Sequence, residues 1–434
     1  MSKYLVKDVC KVKGGKRIPK GETLQTEPNE HPYIRILDMY QGKVLNLDSS
    51  MMYARNDYWN RIKAYTVNAG DVILAIVGNT LGMVSMIGDS LDGANLTENC
   101  CKFANLDVSK VLPEFLYYVL SNDKAQKEIE RFKVGSSQPK LPIYNVEQIE
   151  IPDYSIAYQK KMVDLLGCID AKISNNKAIY SDLDAMVKLL YDYWFVQFDF
   201  PDENGKPYKS SGGKMIWNEA LKREIPDGWE VVPYSEVISS INTGLNPRDN
   251  FRLNTGGQIK YLTVKNLLPN GNIDFSACDL IDEEARRIVH KRSDIKIGDI
   301  LFASISPLGR CHIIWNKPED WDINESVFSI RPDYNNVNSA FLYLSFTSDY
   351  FIKLAEGNST GSVFKGIRIT ELLGLKTILP PKPLLDRFNE YVYGLFDLKS
   401  NTMIENQELT SLRDFLLPML MNGQVKVKKE DTNE

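Results

Sequence analysis

The chain has 434 residues, 43% of them hydrophobic and 25% charged, the balance of a soluble globular protein of two or three domains rather than a disordered one. Its formal net charge is -5, from 52 Lys+Arg against 57 Asp+Glu. That excludes a uniformly basic nucleic-acid coat, so any phosphate backbone must be met by local positive charge or with the help of partners.

The opening MSKYLVKDVC has no long apolar core, and no run approaching the roughly 18 apolar residues of a membrane span occurs anywhere. A soluble, cytoplasmic, non-exported protein is expected. The six cysteines and three histidines form no zinc-ligand spacing. Reduced, buried thiols are therefore expected, with no metal.

In chain order, the first candidate element is the loop KVKGGKRIPKGE at 11–22, which packs Lys11, Lys13, Lys16, Arg17 and Lys20 among Gly and Pro. Gly-Gly permits close backbone approach and the cations can neutralise phosphate. A solvated charged loop is the plain alternative. Residues 71–77, apolar, β-branched and flanked by glycine, read as a strand. The turn GNTLGM follows, with Asn79 and Thr80 at its tip. From Pro113, PEFLYYVLSNDKAQKEIERF reads as an amphipathic helix with Phe115, Leu116, Val119 and Leu120 inward. The loop GSSQPK then presents Ser136, Gln138 and Lys140.

After Pro152 a 4-3 alternation of seam residues runs from Met162 to Trp194, with Asn176 as its single amide. Such a pattern is that of a coiled coil, and one polar seam residue fixes register and orientation. A Pro-, Gly- and Ser-rich connector follows at 198–228.

The second half repeats the first. VNAGDVILAIVGNTLG at 67–82 matches IKIGDILFASISPLG at 295–309, and Tyr33 onward matches Tyr261 onward, both at a shift of 228. FLYYVLSND from Phe115 matches FLYLSFTSD from Phe341, and GSSQPKLPI matches GSVFKGIRI, both at 226. Matches in one order at nearly one shift mark a duplication. The counterpart of the first basic loop, NTGLNPRDNFR, carries Asn246, Arg248 and Arg252, and Asn and Arg can make paired hydrogen bonds to A or G edges. The later turn offers Ser306 and Arg310, and the loop after it Ser362, Lys365 and Arg368. A second long helical pattern follows Pro380-Pro381: Leu385, Phe388, Val392 and Leu395, then Leu409, Leu412 and Leu416, with Lys399, Thr402 and Asn406 on the same face between them.

The expected fold class is α+β: two tandem, pseudo-repeated globular α+β domains separated by two long antiparallel coiled-coil helices, with the globular parts at opposite ends of a rod. The expected boundaries are 1–152 and 229–381 for the globular domains, 153–197 and 382–423 for the helices, 198–228 for the connector and 424–434 for a charged tail.

The connector YDYWFVQFDFPDENGKPYKSSGGKM with the following REIPDGWEV, the duplicated Gly-Asp strand and the closing LRDFLLPMLMNGQVKV resemble, in this order, the specificity subunits of type I restriction-modification systems. The resemblance covers essentially the whole chain. It implies that the globular parts are target recognition domains, each reading one half of a split site in double-stranded DNA. It further implies that the helices dock two methyltransferase subunits, that nuclease/translocase subunits join the full complex, and that S-adenosylmethionine is bound by the methyltransferase partners rather than by this chain. The family's Gly-Ser loop favours Ser136, Gln138, Lys140, Ser362, Lys365 and Arg368 as DNA contacts.

Catalytic motifs are lacking in the residues themselves. The only Pro-Pro, Pro380-Pro381, has Leu379 before it and Lys382 after it, where an adenine methyltransferase needs Asp or Asn and an aromatic. Gly15-Lys16 and Gly213-Lys214 lack the Ser or Thr of a phosphate-binding loop. A non-enzymatic DNA reader is expected. A protein-binding adaptor with two domains on a coiled-coil spacer remains the alternative, favoured by the acidic balance.

Overall fold

The computed structural model describes residues 2–135, 139–248, 250–357 and 366–425. The chain divides into two compact units, 1–176 with 404–434, and 177–403. Each is a mixture of helix and sheet.

In the first unit a five-stranded sheet runs in the order Lys11–Gly14, Cys100–Ala104, Val72–Ala75, Val84–Ile87, Val44–Leu45. The first four strands are antiparallel and the last pair is parallel. A smaller sheet places Pro32–Ile34 between Met52–Tyr53 and a parallel Asn95–Leu96. The second unit repeats this plan. Its larger sheet has the order Ile238–Thr243, Val327–Pro332, Ile300–Ala303, Cys311–Ile313, and its smaller one places Ile259–Leu262 between Asp279–Ile281 and a parallel Trp321–Ile323. The repeat read in the sequence is therefore a repeat of topology: four strands of the larger sheet and all three of the smaller one correspond, and of these sheets only Val44–Leu45 lacks a counterpart among the described strands.

The Gly-Asp pair at the head of each central strand has a physical cause. Gly70 and Gly298 sit at φ +81° and +87°, a conformation glycine adopts without strain. The next residue closes the turn: Asp71 accepts the Asn68 N–H at 2.9 Å, and Asp299 accepts that of Lys296 at 2.9 Å. Each carboxylate also takes a cation from the neighbouring strand, Lys102 at 3.1 Å and Arg331 at 2.8 Å. The strands that follow, VILA and ILFA, are buried at all four positions, which explains their continuous apolar run.

Residues 113–132 form two helices, not one. Pro113–Ser121 ends at Asn122, whose side chain accepts the Lys124 N–H at 2.8 Å and so caps Asp123–Phe132. Asn is a strong N-cap, and it breaks a pattern that hydrophobic periodicity alone runs together. Phe115, Leu116, Val119 and Leu120 are buried as expected. The 198–228 connector is more ordered than its composition suggests: Met215–Asn218 and Arg223–Pro226 pair as a hairpin.

Both long helices form, as Ile156–Tyr191 and Lys382–Met421. Within the first unit they run antiparallel, since Arg413 donates to Asp170 at 3.2 Å and Asn176 to Glu405 at 2.6 Å. Within the second unit they also run antiparallel: Lys399 pairs with Asp184, while Trp194 and Phe195 stack on Phe388 at 5.4 and 4.7 Å. Lys399 and Thr402 face inward as the alternation implied, whereas Leu412 is 46% exposed and Leu417 and Leu420 are buried in its stead. Leu412 lies three residues after Leu409, whereas the strict 4-3 step from Asn406 and Leu409 falls on Arg413, whose side chain meets Asp170.

The Arg331 fork grips Asp299 through both carboxylate oxygens, each at 2.8 Å, and Asp299 is fully buried. Removing one partner of a buried pair strands the other charge, at roughly 3–5 kcal/mol. Asp299→Ala is expected to lower unfolding free energy by about 3 kcal/mol in a urea titration, and the more exposed Asp71→Ala by clearly less.

Candidate nucleic-acid interface

In both units the candidate loops share one end of the larger sheet, and main-chain hydrogen bonds bring them there. In the first unit the Lys11–Gly14 strand leaves the sheet where Cys100–Ala104 enters and Val72–Ala75 exits, because Gly14 lies opposite Cys101 and Ala75 opposite Cys100. Ile76 N–H donates to the Asn99 carbonyl at 2.8 Å, Gly78 N–H to that of Pro139 at 2.9 Å, and Leu141 N–H to that of Ile76 at 2.8 Å. The basic loop, the 78–82 turn and the described ends of the 134–140 segment therefore adjoin. The second unit has the same closure: Ser304 N–H donates to Ser326 at 3.0 Å, and Ile367 N–H to Ser304 at 2.9 Å.

The edge strand aims its cations outward, with Val12 buried between exposed Lys11 and Lys13. Gly15 then passes so close to the 96–97 backbone that a Cβ there would lie 2.1 Å from the Thr97 carbonyl oxygen. Gly244 does the same in the second unit, at 1.7 Å from the Ile323 oxygen. Lys16 lies over the Tyr65 ring at 5.5 Å, and Arg17 Nε stands 3.6 Å from Glu98 with most of its side chain in solvent. In the turn, Asn79 is exposed and Thr80 half-buried. Lys140 is exposed at the base of its loop, where it exchanges main-chain hydrogen bonds with Val134 at 2.8 and 2.9 Å.

Among the second unit's candidates, Arg248 is exposed, but Asn246 is engaged. Its amide donates to Glu325 at 2.7 Å and its oxygen accepts the Arg248 N–H at 3.2 Å. Asn246 thus shapes the loop, and offers no open amide pair to a base edge. Arg310 is half-buried and donates to the Leu267 carbonyl at 3.3 Å. Arg368 is exposed beside a shallow cleft lined by Ser304, Ile305, Phe328 and Gly366. Ser136, Gln138, Ser362 and Lys365 lie outside the described residues.

Three features escaped the sequence reading. Glu98 and Glu325 occupy matching turns, in Leu96-Thr-Glu-Asn and Ile323-Asn-Glu-Ser, and each holds a side chain of the glycine loop; aligning those tetrapeptides at a shift of 227 would have found them. Gln126 donates to the Gly82 and Leu120 carbonyls at 2.9 and 2.7 Å and ties the 78–82 turn to its helix. Finally, the Glu283–Ser293 helix presents Arg287, Lys291 and Arg292 to solvent, and Arg292 donates to Thr243 at 3.2 Å, next to the glycine loop. The run ARRIVHKRS carried that signal.

Four of the six cysteines are buried and unpaired, while Cys168 is exposed and Cys278 half-buried. Among the described residues no cluster of His, Cys, Asp or Glu could hold a metal ion, and no helix is long and apolar enough to cross a membrane.

A family described as the type I restriction modification DNA specificity domain matches residues 1–185 and again 226–412. The chain belongs to that family. The double match falls on the two halves of the structural repeat. Among relatives of this specificity family, the type I restriction enzyme MjaIX specificity subunit of Methanocaldococcus jannaschii is 25% identical over 326 residues, covering 74% of this chain and 70% of its own. The HindI specificity subunit of Haemophilus influenzae is 23% identical over 413 residues, covering 83% and 87%. The crystal structure of a type I S subunit from M. genitalium shares the fold, with a TM-score of 0.54 at 16% identity over 96% of this chain and 95% of that one.

The glycine contacts lend themselves to a direct test. Gly244→Ala forces a Cβ into the Ile323 carbonyl, and overpacking of this kind costs about 1–3 kcal/mol. Gly394→Ala, on a long helix with nothing within 4 Å of the new Cβ, is expected to stabilise by about 0.5–1 kcal/mol. Opposite shifts in thermal unfolding midpoint are the expected result.

Proposed function

We propose that this chain is the DNA-reading subunit of a type I restriction-modification complex. Its two units recognise the two halves of one asymmetric, bipartite site and direct methyltransferase and nuclease subunits to it. The observation that carries this reading is the gathering, in each unit separately, of cationic loops at one sheet end: Lys13, Lys16, Arg17, Asn79 and Lys140 in the first, Arg248 and Arg368 with the Arg287/Lys291 helix face in the second. Lysine and arginine on loops neutralise phosphate and set register, while the tips that differ between the units read base edges. Differing tips on one repeated frame suit two different half-sequences.

The chain itself supplies no chemistry in this proposal. S-adenosylmethionine belongs to two methyltransferase partners, and nuclease/translocase subunits join for cleavage. A net charge of -5 fits a reader whose DNA affinity is completed by basic partners. The outward sides of the long helices carry exposed apolar residues, among them Met186 at 53%, Leu189 at 65% and Phe415 at 61%. In this proposal such groups belong to the surface on which the partner subunits dock.

The acidic balance also supports the adaptor reading, in which the two units bind proteins. Affinity capture of the tagged chain from its host separates the two: recovery without any methyltransferase subunit favours the adaptor.

The sharper test exchanges residues 1–150 for the equivalent part of another specificity subunit and maps methylated sites in the host. One half-sequence should change while the other stays. A change in both halves, or in neither, defeats the proposal. In the assembled complex, Lys16→Ala and Lys140→Ala should each weaken binding to all duplexes alike and reduce the slope of log affinity against log salt by about 1.

A further inference from the structure

The two long helices present a puzzle of partner choice. Burial aligns them at a shift of 226, the separation of Met162 from Phe388, Leu166 from Val392, Tyr191 from Leu417 and Trp194 from Leu420, all buried. Helices with matching apolar seams can each pack against the other, or against the same helix of a second molecule. Apolar packing is non-directional and does not discriminate between these choices.

The charges do. In the first unit Asp170 meets Arg413 at 3.2 Å, with side chains 13% and 30% exposed. At the same shift, those positions in the second unit are Phe396 and Val187, both buried. In the second unit Lys399 pairs with Asp184, with side chains 9% and 30% exposed, and Lys399 also lies over the Tyr180 ring at 4.5 Å. The matching positions in the first unit are Ile173 and Thr410. The two ion pairs are thus offset by one helical turn relative to the repeat.

The offset makes each pair complementary to only one partner. If the first helix met its own copy in the same antiparallel geometry, Asp184 would face Ile173 and Asp170 would face Val187. If the second met its copy, Lys399 would face Thr410 and lose Tyr180, and Arg413 would face Phe396. Asp170 would keep Lys43 and Tyr118, at 3.1 and 2.5 Å, and Arg413 would keep Asp414 at 2.8 Å. Asp184 and Lys399 would be left half-buried or deeper without an opposite charge, and an unpaired buried charge disfavours an interface strongly.

We propose that these offset ion pairs, and above all Asp184–Lys399, are an address. They make a first long helix pair with a second long helix, and reject a first helix against a first or a second against a second. The inference concerns assembly of the chain and is independent of the DNA reading, since its readout contains no DNA.

The test uses the full chain. In Asp184→Thr with Lys399→Ile, the second unit takes on the residues of the first at that level, so the layer becomes compatible with every pairing. After unfolding in urea and refolding at rising protein concentration, light scattering on a sizing column should show a dimer fraction that grows with concentration for this variant. The wild type should return as monomer, and so should the charge-reversed Asp184→Lys with Lys399→Asp, which restores an opposite-sign pair. A variant that stays monomeric throughout, or a wild type that dimerises to the same extent, overturns the proposal.

Discussion

Each candidate interface depends on one steric condition: two main chains crossing at a distance that only glycine permits. At Gly15 and Gly244 the edge strand leaves the sheet against a carbonyl that any Cβ would strike. That contact brings the cationic loop beside the turn bearing Glu98 or Glu325, which hold Arg17 and Asn246 in turn. The ladder between the central strands places the two remaining loops at the same end. The close crossing thus adds the cationic loop to turns that main-chain hydrogen bonds already join, as Gly78 N–H to Pro139 and Ile367 N–H to Ser304.

Much of this was legible in the sequence, because duplication is a pattern and patterns survive side-chain variation. Shared Gly-Asp pairs, shared tyrosine strands and shared FLY helices mark the repeat, and the topology follows it except for the extra edge strand Val44–Leu45 of the first unit. What was not legible depends on partners distant in sequence. Asn246 has the chemistry of an adenine reader, yet a glutamate 79 residues later occupies its amide. Arg310 has the chemistry of a guanine reader, and one of its N–H groups already reaches a main-chain carbonyl. Residue type gives what a side chain can do, and tertiary contact decides whether it is free to do it.

The long helices show the same limit from another side. The 4-3 alternation located them and put Lys399 on the inner face, where a lysine is costly unless paired. Only the structure supplies the partner, Asp184, as it supplies Arg413 for Asp170. Far along the second helix Leu412 is exposed because the alternation steps from Leu409 to Arg413, the residue that faces Asp170.

The bonds that join the loop bases are main-chain bonds: Ile76 to Asn99 and Gly78 to Pro139 in one unit, Ser304 to Ser326 and Ile367 to Ser304 in the other. Main-chain groups are the same in every residue but proline. Mutations at the exposed tips therefore leave the scaffold's own hydrogen bonding untouched. The tips can thus change their side chains while the hydrogen bonds that join the loop bases stay as they are.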